Sequence, residues 1–93
     1  MAYIALALIG AGASWGRAPD KQEAIDKCAR YIVADWSSLY DVKGKPCDIN
    51  VFDIGDADSV RMGHDGVTIL DGDEPRQVER LELVNVTLPK KLR

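Results

Sequence analysis

The chain has 93 residues, of which 46% are hydrophobic and 29% are charged. This length and composition are typical of one small globular domain and disfavour repeat arrays, collagen-like chains and disorder, so we expect residues 1–93 to form a single domain. The formal net charge of −3 disfavours a dedicated duplex nucleic-acid binder, which normally carries an excess of basic residues.

The first predicted element is a strand over residues 3–9, where larger and smaller apolar side chains follow each other without polar alternation. Such a strand is typically covered on both faces. The uncharged run that contains it, residues 2–13, is too short to cross a bilayer and lacks the preceding basic residue of a signal peptide. We therefore expect no membrane association. Three glycines follow between residues 10 and 16 and favour a bend, a bulge or a short hairpin, so residues 13–17 are either a second strand or the twisted end of the first.

The clearest element is a helix over about residues 19–38. Asp20 and Glu23 have the spacing of a capping box, whereas Pro19 would suit the first helical position if Ala18 were the cap. Apolar residues recur at three- and four-residue steps and form one face: Ile25, Cys28, Ala29, Ile32, Val33, Trp36 and Leu39. We expect Ile32 and Trp36 to lie in the main core, with Trp36 close to Trp15.

Strands dominate the rest of the chain. Residues 47–52 alternate between apolar and polar side chains and predict a strand with one buried face, on whose polar side Phe52 falls. Residues 67–70 predict a short strand. The segment before it is either the opposing strand of a hairpin or, over residues 56–62, a helical turn closed by Gly63.

In the final predicted strand, residues 81–88, the apolar phase slips between Leu83 and Val84, which predicts a bulge or a change of cover. The element order β(β)αβ(β)ββ specifies an α+β fold, in which one long helix packs on a mainly antiparallel sheet of four to five strands. A large apolar group on the polar side of a strand often marks a contact surface. We therefore predict a two-fold dimer through a sheet edge or through a patch that includes Phe52 or Tyr40.

Acidic residues concentrate in residues 48–74, where eight acids face one arginine and give a local net charge of −7. Six acidic residues of this stretch are the candidate partner-binding residues: Asp53, Asp56, Asp58, Asp71, Asp73 and Glu74. A surface of this kind steers association with a basic partner, although acidic loops also serve solubility alone. The leading hypothesis is a non-enzymatic protein-binding module, such as an acidic inhibitor of a nucleic-acid-handling protein of the anti-restriction or anti-CRISPR kind.

Two further hypotheses stay open. The aspartates together with His64 would form a metal-dependent or small-ligand site, since hard cations prefer carboxylate oxygens, but their spacing matches no complete calcium-binding loop. The second is weak nucleic-acid binding through a set of basic residues that includes the tail: Arg17, Lys21, Lys43, Lys45, Lys90, Lys91 and Arg93.

The sequence predicts no catalytic residue and no cofactor, because no serine, histidine or cysteine stands in a recognisable catalytic pattern. Cys28 and Cys47 form no CxxC pair and have no adjacent histidine. One bridge at most is too few for a secreted disulfide scaffold. We expect both to be reduced thiols in a cytoplasmic protein.

Overall fold

In the computed structural model, which describes residues 1–91, one helix and seven strands form three layers. The elements are β1 (Ala2–Ile9), β2 (Gly12–Ala18), α1 (Lys21–Trp36), β3 (Pro46–Gly55), β4 (Val60–Gly63), β5 (Gly66–Ile69), β6 (Arg76–Val78) and β7 (Glu82–Thr87). A four-stranded sheet has the order β2-β1-β3-β7, and a three-stranded sheet has the order β4-β5-β6. All strand pairings are antiparallel. The predicted α+β class, with one helix packed on antiparallel strands, is confirmed.

The glycine-rich segment forms a hairpin. β1 and β2 pair without interruption from Tyr3↔Ala18 to Ile9↔Gly12. Gly10 adopts a φ of +57° in the two-residue turn, a conformation that glycine reaches without steric cost. Of the two interpretations of residues 13–17, the structure therefore contains the second strand.

The helix is shorter than the predicted range of 19–38. Asp20 is the N-cap, and its carboxylate accepts a hydrogen bond of 3.0 Å from the backbone N–H of Glu23. Ser37 caps the other end. Leu39 therefore lies beyond the helix and is 70% exposed instead of belonging to its apolar face.

The first core lies between α1 and one face of the four-stranded sheet. Ile32 is fully buried there, as predicted. Trp36 is only partly buried and packs beside Tyr40, with 6.0 Å between the ring centroids. Trp15 pairs with Leu6, whose side chain lies on the sheet face opposite the helix. Residues directly opposite each other in an antiparallel pair share a face, so Trp15 lies on that face too. The two tryptophans thus lie on opposite faces of the sheet, contrary to expectation.

The second core lies between the opposite face of this sheet and the three-stranded sheet. Its buried members are Ile4, Leu6, Phe52, Ile54 and Val67. Phe52 is only 5% exposed because the three-stranded sheet covers it. β3 therefore has two buried faces along its second half, and the prediction that Phe52 marks an exposed contact patch is wrong.

The region after β3 resolves the remaining alternatives. β4 and β5 form a hairpin that ends in the pair Gly63↔Gly66, so residues 56–62 do not form a helical turn. β6 is a short strand that the sequence did not predict. β7 pairs with β3 without a register shift over Glu82–Thr87, and its apolar phase slip places side chains on both faces: Leu83 on one, Val84 and Val86 on the other.

Candidate functional site

The six predicted acidic residues lie at the end of β3 and in the two loops that follow β3 and β5. All six are exposed. Asp53 belongs to β3, Asp56 and Asp58 to the loop before β4, and Asp71 to the loop before β6, which continues through residues 73 and 74. Asp53, Asp56 and Asp71 line one groove, and Asp58 is hydrogen-bonded to Asp71 through its backbone, whereas Asp73 and Glu74 share only the loop of Asp71.

Asp71 joins the two loops. Its two carboxylate oxygens accept hydrogen bonds from the backbone N–H groups of Asp58, at 2.9 Å, and Ser59, at 2.7 Å. These two bonds favour the charged form and lower the pKa of Asp71. The backbone N–H of Leu70 also donates to the carbonyl of Ser59 at 2.9 Å. The loops are thus held against each other by a carboxylate and by a backbone bond.

Two other aspartates also contact the chain itself. The Asp53 carboxylate accepts a 2.9 Å hydrogen bond from the N–H of Gly55, which closes a turn at the end of β3. The Asp56 carboxylate lies 2.9 Å from the amino group of Met1, and this hydrogen bond and charge lower the pKa of Asp56. Asp53, Asp56 and Asp71 therefore have contacts within the chain that account for their positions.

The carboxylates of Asp58, Asp73 and Glu74 behave differently. Within residues 1–91 they form no hydrogen bond and no ion pair. Asp58 stands on a backbone that Asp71 holds, and Asp73 and Glu74 follow Asp71 in the loop before β6. These three are the acidic groups of the site that are available to another molecule.

Two arginines accompany the acids. The Arg17 guanidinium reaches from β2 to the loop before β4 and donates to the carbonyls of Ala57, at 2.5 Å, and Asp58, at 3.3 Å. Arg76 lines a groove of about 440 Å³ together with Asp53, Asp56 and Asp71. Six carboxylates against two guanidiniums leave a local charge of −4. The contact of Arg17 with this loop had no sequence signal because 40 residues separate Arg17 from Ala57, whereas Arg76 follows Glu74 by two residues.

His64 lies apart from the acidic groove. It occupies the turn between β4 and β5, and its Nε2 is 2.8 Å from the carbonyl oxygen of Ala11 in the β1–β2 turn. Within residues 1–91, no three His, Cys, Asp or Glu side chains come together in a way that could hold a metal ion. The combined site of aspartates with His64 is not assembled in this structure.

His64 instead lines a second groove of about 510 Å³, which lies between the four-stranded sheet and the β4–β5 turn. Leu8 and Phe52 contribute to its lining, together with Asn50 and Arg80. The Arg80 guanidinium donates to Asn50 Oδ1 at 3.0 Å. The sequence carried no signal for this groove, since it forms only when the β4–β5 hairpin folds back over the sheet.

Part of the predicted basic set lies together. The N–H of Gly44 donates to the carbonyl of Leu88, and the Lys90 side chain lies against Gly44, so Lys43, Lys45 and Lys90 are neighbours. Lys45 lies 3.6 Å from Asp41, and Lys21 pairs with Glu82. Arg93, the last member of the proposed basic tail, lies outside the described residues.

The two thiols are free. Burial raises the pKa of Cys28 to about 12, and burial also raises the pKa of Cys47. A raised pKa removes the thiolate needed for nucleophilic chemistry.

No family model, curated protein or solved structure matches the chain. Within residues 1–91, no helix has the length and apolar character needed to cross a membrane.

Proposed function

We propose that this protein is a non-enzymatic binding module that contacts a basic surface of another protein through its acidic loops. The observation that supports the proposal is the arrangement of Asp58, Asp73 and Glu74. These three exposed carboxylates have no hydrogen-bond or ion-pair partner within residues 1–91 and stand on two loops that Asp71 joins. Strongly basic protein surfaces are typical of nucleic-acid-handling proteins, so the proposed role is that of an acidic inhibitor or regulator of such a protein.

Fixed loops favour binding because ordering them at the moment of association would cost free energy. Here Asp71 and Arg17 already hold the loop before β4, through hydrogen bonds to its N–H and carbonyl groups. The surrounding charge of −4 would attract a basic partner over a distance of about one Debye length, roughly 8 Å at physiological salt.

The test uses a fluorescein-labelled decalysine peptide as the probe and fluorescence anisotropy at low and high salt as the readout. The variant is Asp58→Asn, Asp73→Asn and Glu74→Gln together. Each exposed ion pair contributes about 0.2–1 kcal/mol, so losing three raises the Kd roughly 3- to 150-fold at low salt. Asp53, Asp56 and Asp71 are left unchanged because they contact the chain itself.

The matched control is Asp35→Asn, Asp65→Asn and Glu79→Gln, three exposed acids outside the acidic loops whose carboxylates have no hydrogen bond or ion pair within residues 1–91. It changes the net charge by the same amount at a different place. We expect the control to keep most of the wild-type affinity and its salt dependence. An equal loss of affinity in both triple variants would mean that only the net charge matters. This result would contradict a defined acidic binding surface.

A further inference from the structure

β7 is an edge strand of the four-stranded sheet, and no strand of residues 1–91 pairs with its outer side. The N–H of Leu88, just beyond β7, donates to the carbonyl of Lys45 at 2.8 Å, on the side of β3. Backbone groups of successive residues in a strand point alternately to the two sides. The N–H and C=O groups of Leu83, Asn85 and Thr87 therefore point outwards, ready to pair with another strand.

The other edge of the same sheet lies beside the helix. In β2, the outward carbonyl of Arg17 accepts a hydrogen bond from Lys27 Nζ at 3.2 Å. Helix α1 also packs directly on β2 at Gly16. The helix thus covers part of the β2 edge, whereas no side chain of residues 1–91 bonds to the backbone of β7.

β7 has none of the features by which proteins usually protect an open edge, such as lysine, proline or a bulge. Its register with β3 is regular over Glu82–Thr87. Apolar side chains stand on both faces, and Leu83 is 49% exposed beside Leu81, which is 54% exposed. An uncovered strand of this composition is suited to pairing by strand addition.

The charges of the edge strands indicate what pairs with β7. At a two-fold axis each residue lies near its own copy, so a charge near the axis would meet a like charge. The edge strands β2, β4 and β6 carry Arg17, Arg61 and Arg76, respectively. Residues 83–88, in contrast, are uncharged, so a two-fold axis at Asn85 places no like charges opposite each other within the paired segment.

We propose that two copies of this chain associate through antiparallel pairing of β7 with β7 across a two-fold axis, which creates one continuous eight-stranded sheet. The pairing satisfies the outward backbone groups of Leu83, Asn85 and Thr87 in both copies. It also brings the exposed Leu83 side chains towards the shared interface. The acidic loops play no part in the pairing.

The first test is the mass of the wild-type chain by size-exclusion chromatography with light scattering, at protein concentrations on the order of 100 μM. We expect about 20 kDa, twice the 10.2 kDa of one chain. A mass of 10.2 kDa across the whole concentration series would overturn the proposal.

The second test compares Asn85→Pro with Asn85→Ala. Both variants lose the hydrogen bond from the Asn85 amide to Asp48, but only proline removes the outward backbone N–H. Proline is tolerated in edge strands whose N–H faces outwards. We expect a monomer for Asn85→Pro and a dimer for Asn85→Ala. A proline variant that keeps its circular dichroism spectrum and still has the dimer mass would overturn the assignment to β7.

A third comparison does not depend on proline. Leu83→Lys places a charge at the edge in both copies, so we expect the dimer Kd to rise more than about 100-fold. Leu39→Lys, at a position that is 70% exposed outside the sheet, serves as the control and keeps the dimer. Equal dimerisation of the two lysine variants would contradict the pairing. The triple variant of Asp58, Asp73 and Glu74 should stay dimeric, which separates this proposal from the binding function.

Discussion

Replacing Gly16 with alanine is expected to destabilise the protein by forcing the helix away from the sheet. A Cβ atom at this position would lie 2.6 Å from the carbonyl oxygen of Ala24 and 2.7 Å from the backbone nitrogen of Cys28. Both atoms belong to the helix backbone, so no side-chain rotation relieves the clash. To restore a separation of 3.4 Å, where ordinary contact begins, α1 must move by about 0.8 Å.

The expected loss of stability depends on the packing contacts that this movement of α1 weakens. Ile25, Ile32 and Val33 are at most 4% exposed and pack between α1 and the sheet. A gap of about 0.5–1 Å removes roughly a quarter to a half of each van der Waals attraction, and overpacking costs about 1–3 kcal/mol. Because backbone atoms are the obstacle, we expect a cost of about 2–3 kcal/mol. The lower chain entropy of alanine in the unfolded state offsets about 0.4–1 kcal/mol of this.

The net loss of about 1–2.5 kcal/mol corresponds to a fall in Tm of roughly 4–20 °C for a domain of this size, measured by circular dichroism. Gly63→Ala is the control, because its Cβ would meet only the Asp65 carboxylate at 3.6 Å. The Tm of Gly12→Ala should lie between those of Gly16→Ala and Gly63→Ala, because the obstacle to its Cβ is the Trp36 ring, which can shift. If Gly16→Ala melted within about 2 °C of Gly63→Ala, the close packing of α1 on β2 would be refuted.

Three further predictions concern the core, the thiols and the acidic loops. Ile32→Ala should cost about 2–5 kcal/mol in urea unfolding because Ile32 is fully buried, whereas Leu39→Ala should cost less than about 0.5 kcal/mol. With iodoacetamide near pH 8, mass spectrometry should find Cys47 alkylated before Cys28, whose pKa of about 12 leaves almost no thiolate; faster reaction of Cys28 would contradict its burial. Because the pKa of Asp71 is lowered in the folded protein, its carboxylate stabilises the fold at pH values above the ordinary pKa of 3.8. This contribution is lost as the pH falls below 3.8 through the lowered pKa. The Tm of the wild type should therefore fall more steeply with acid than that of Asp71→Ala, and parallel curves would show that Asp71 does not join the loops.

The helix could be predicted from the sequence because local signals determine it. Asp20 satisfies the N–H of Glu23, and the buried positions from Ala24 to Val33 follow the helical period. The end of the helix was predicted less well, since Leu39 continues the apolar spacing although the chain has already left the helix. Periodicity alone does not distinguish a helical residue from an exposed one that falls in phase by chance.

The second sheet could not be predicted, because long-range packing decides it. The alternation around Phe52 indicated one buried face, yet the β4–β5 hairpin covers the other side of β3. β6 contains Arg76 and Gln77, both exposed, and forms a strand only through its pairing with β5. Strand formation in such segments depends on neighbours and not on intrinsic preference.

In the candidate site, too, local features could be predicted from the sequence and long-range contacts could not. Composition identified the acidic stretch, and five of its six candidate acids lie in loops, whereas Asp53 belongs to β3. The roles within the set were not visible, because Asp71 contacts Asp58 and Ser59 across 13 and 12 residues of sequence. The contact of Arg17 with Ala57 spans 40 residues and had no local signal.

The central strand has a consequence for synthesis on the ribosome. Ile4, Ala5, Leu6 and Ala7 of β1 are at most 2% exposed, because β1 lies in the middle of the four-stranded sheet and between two cores. One neighbour, β2, follows at once, but the other, β3, begins only at Pro46. The nascent hairpin must therefore carry an open apolar edge until β3 has emerged, a state that favours aggregation or capture by a chaperone. Once the sheet closes, the amides of β1 should be the last in the protein to exchange with deuterium.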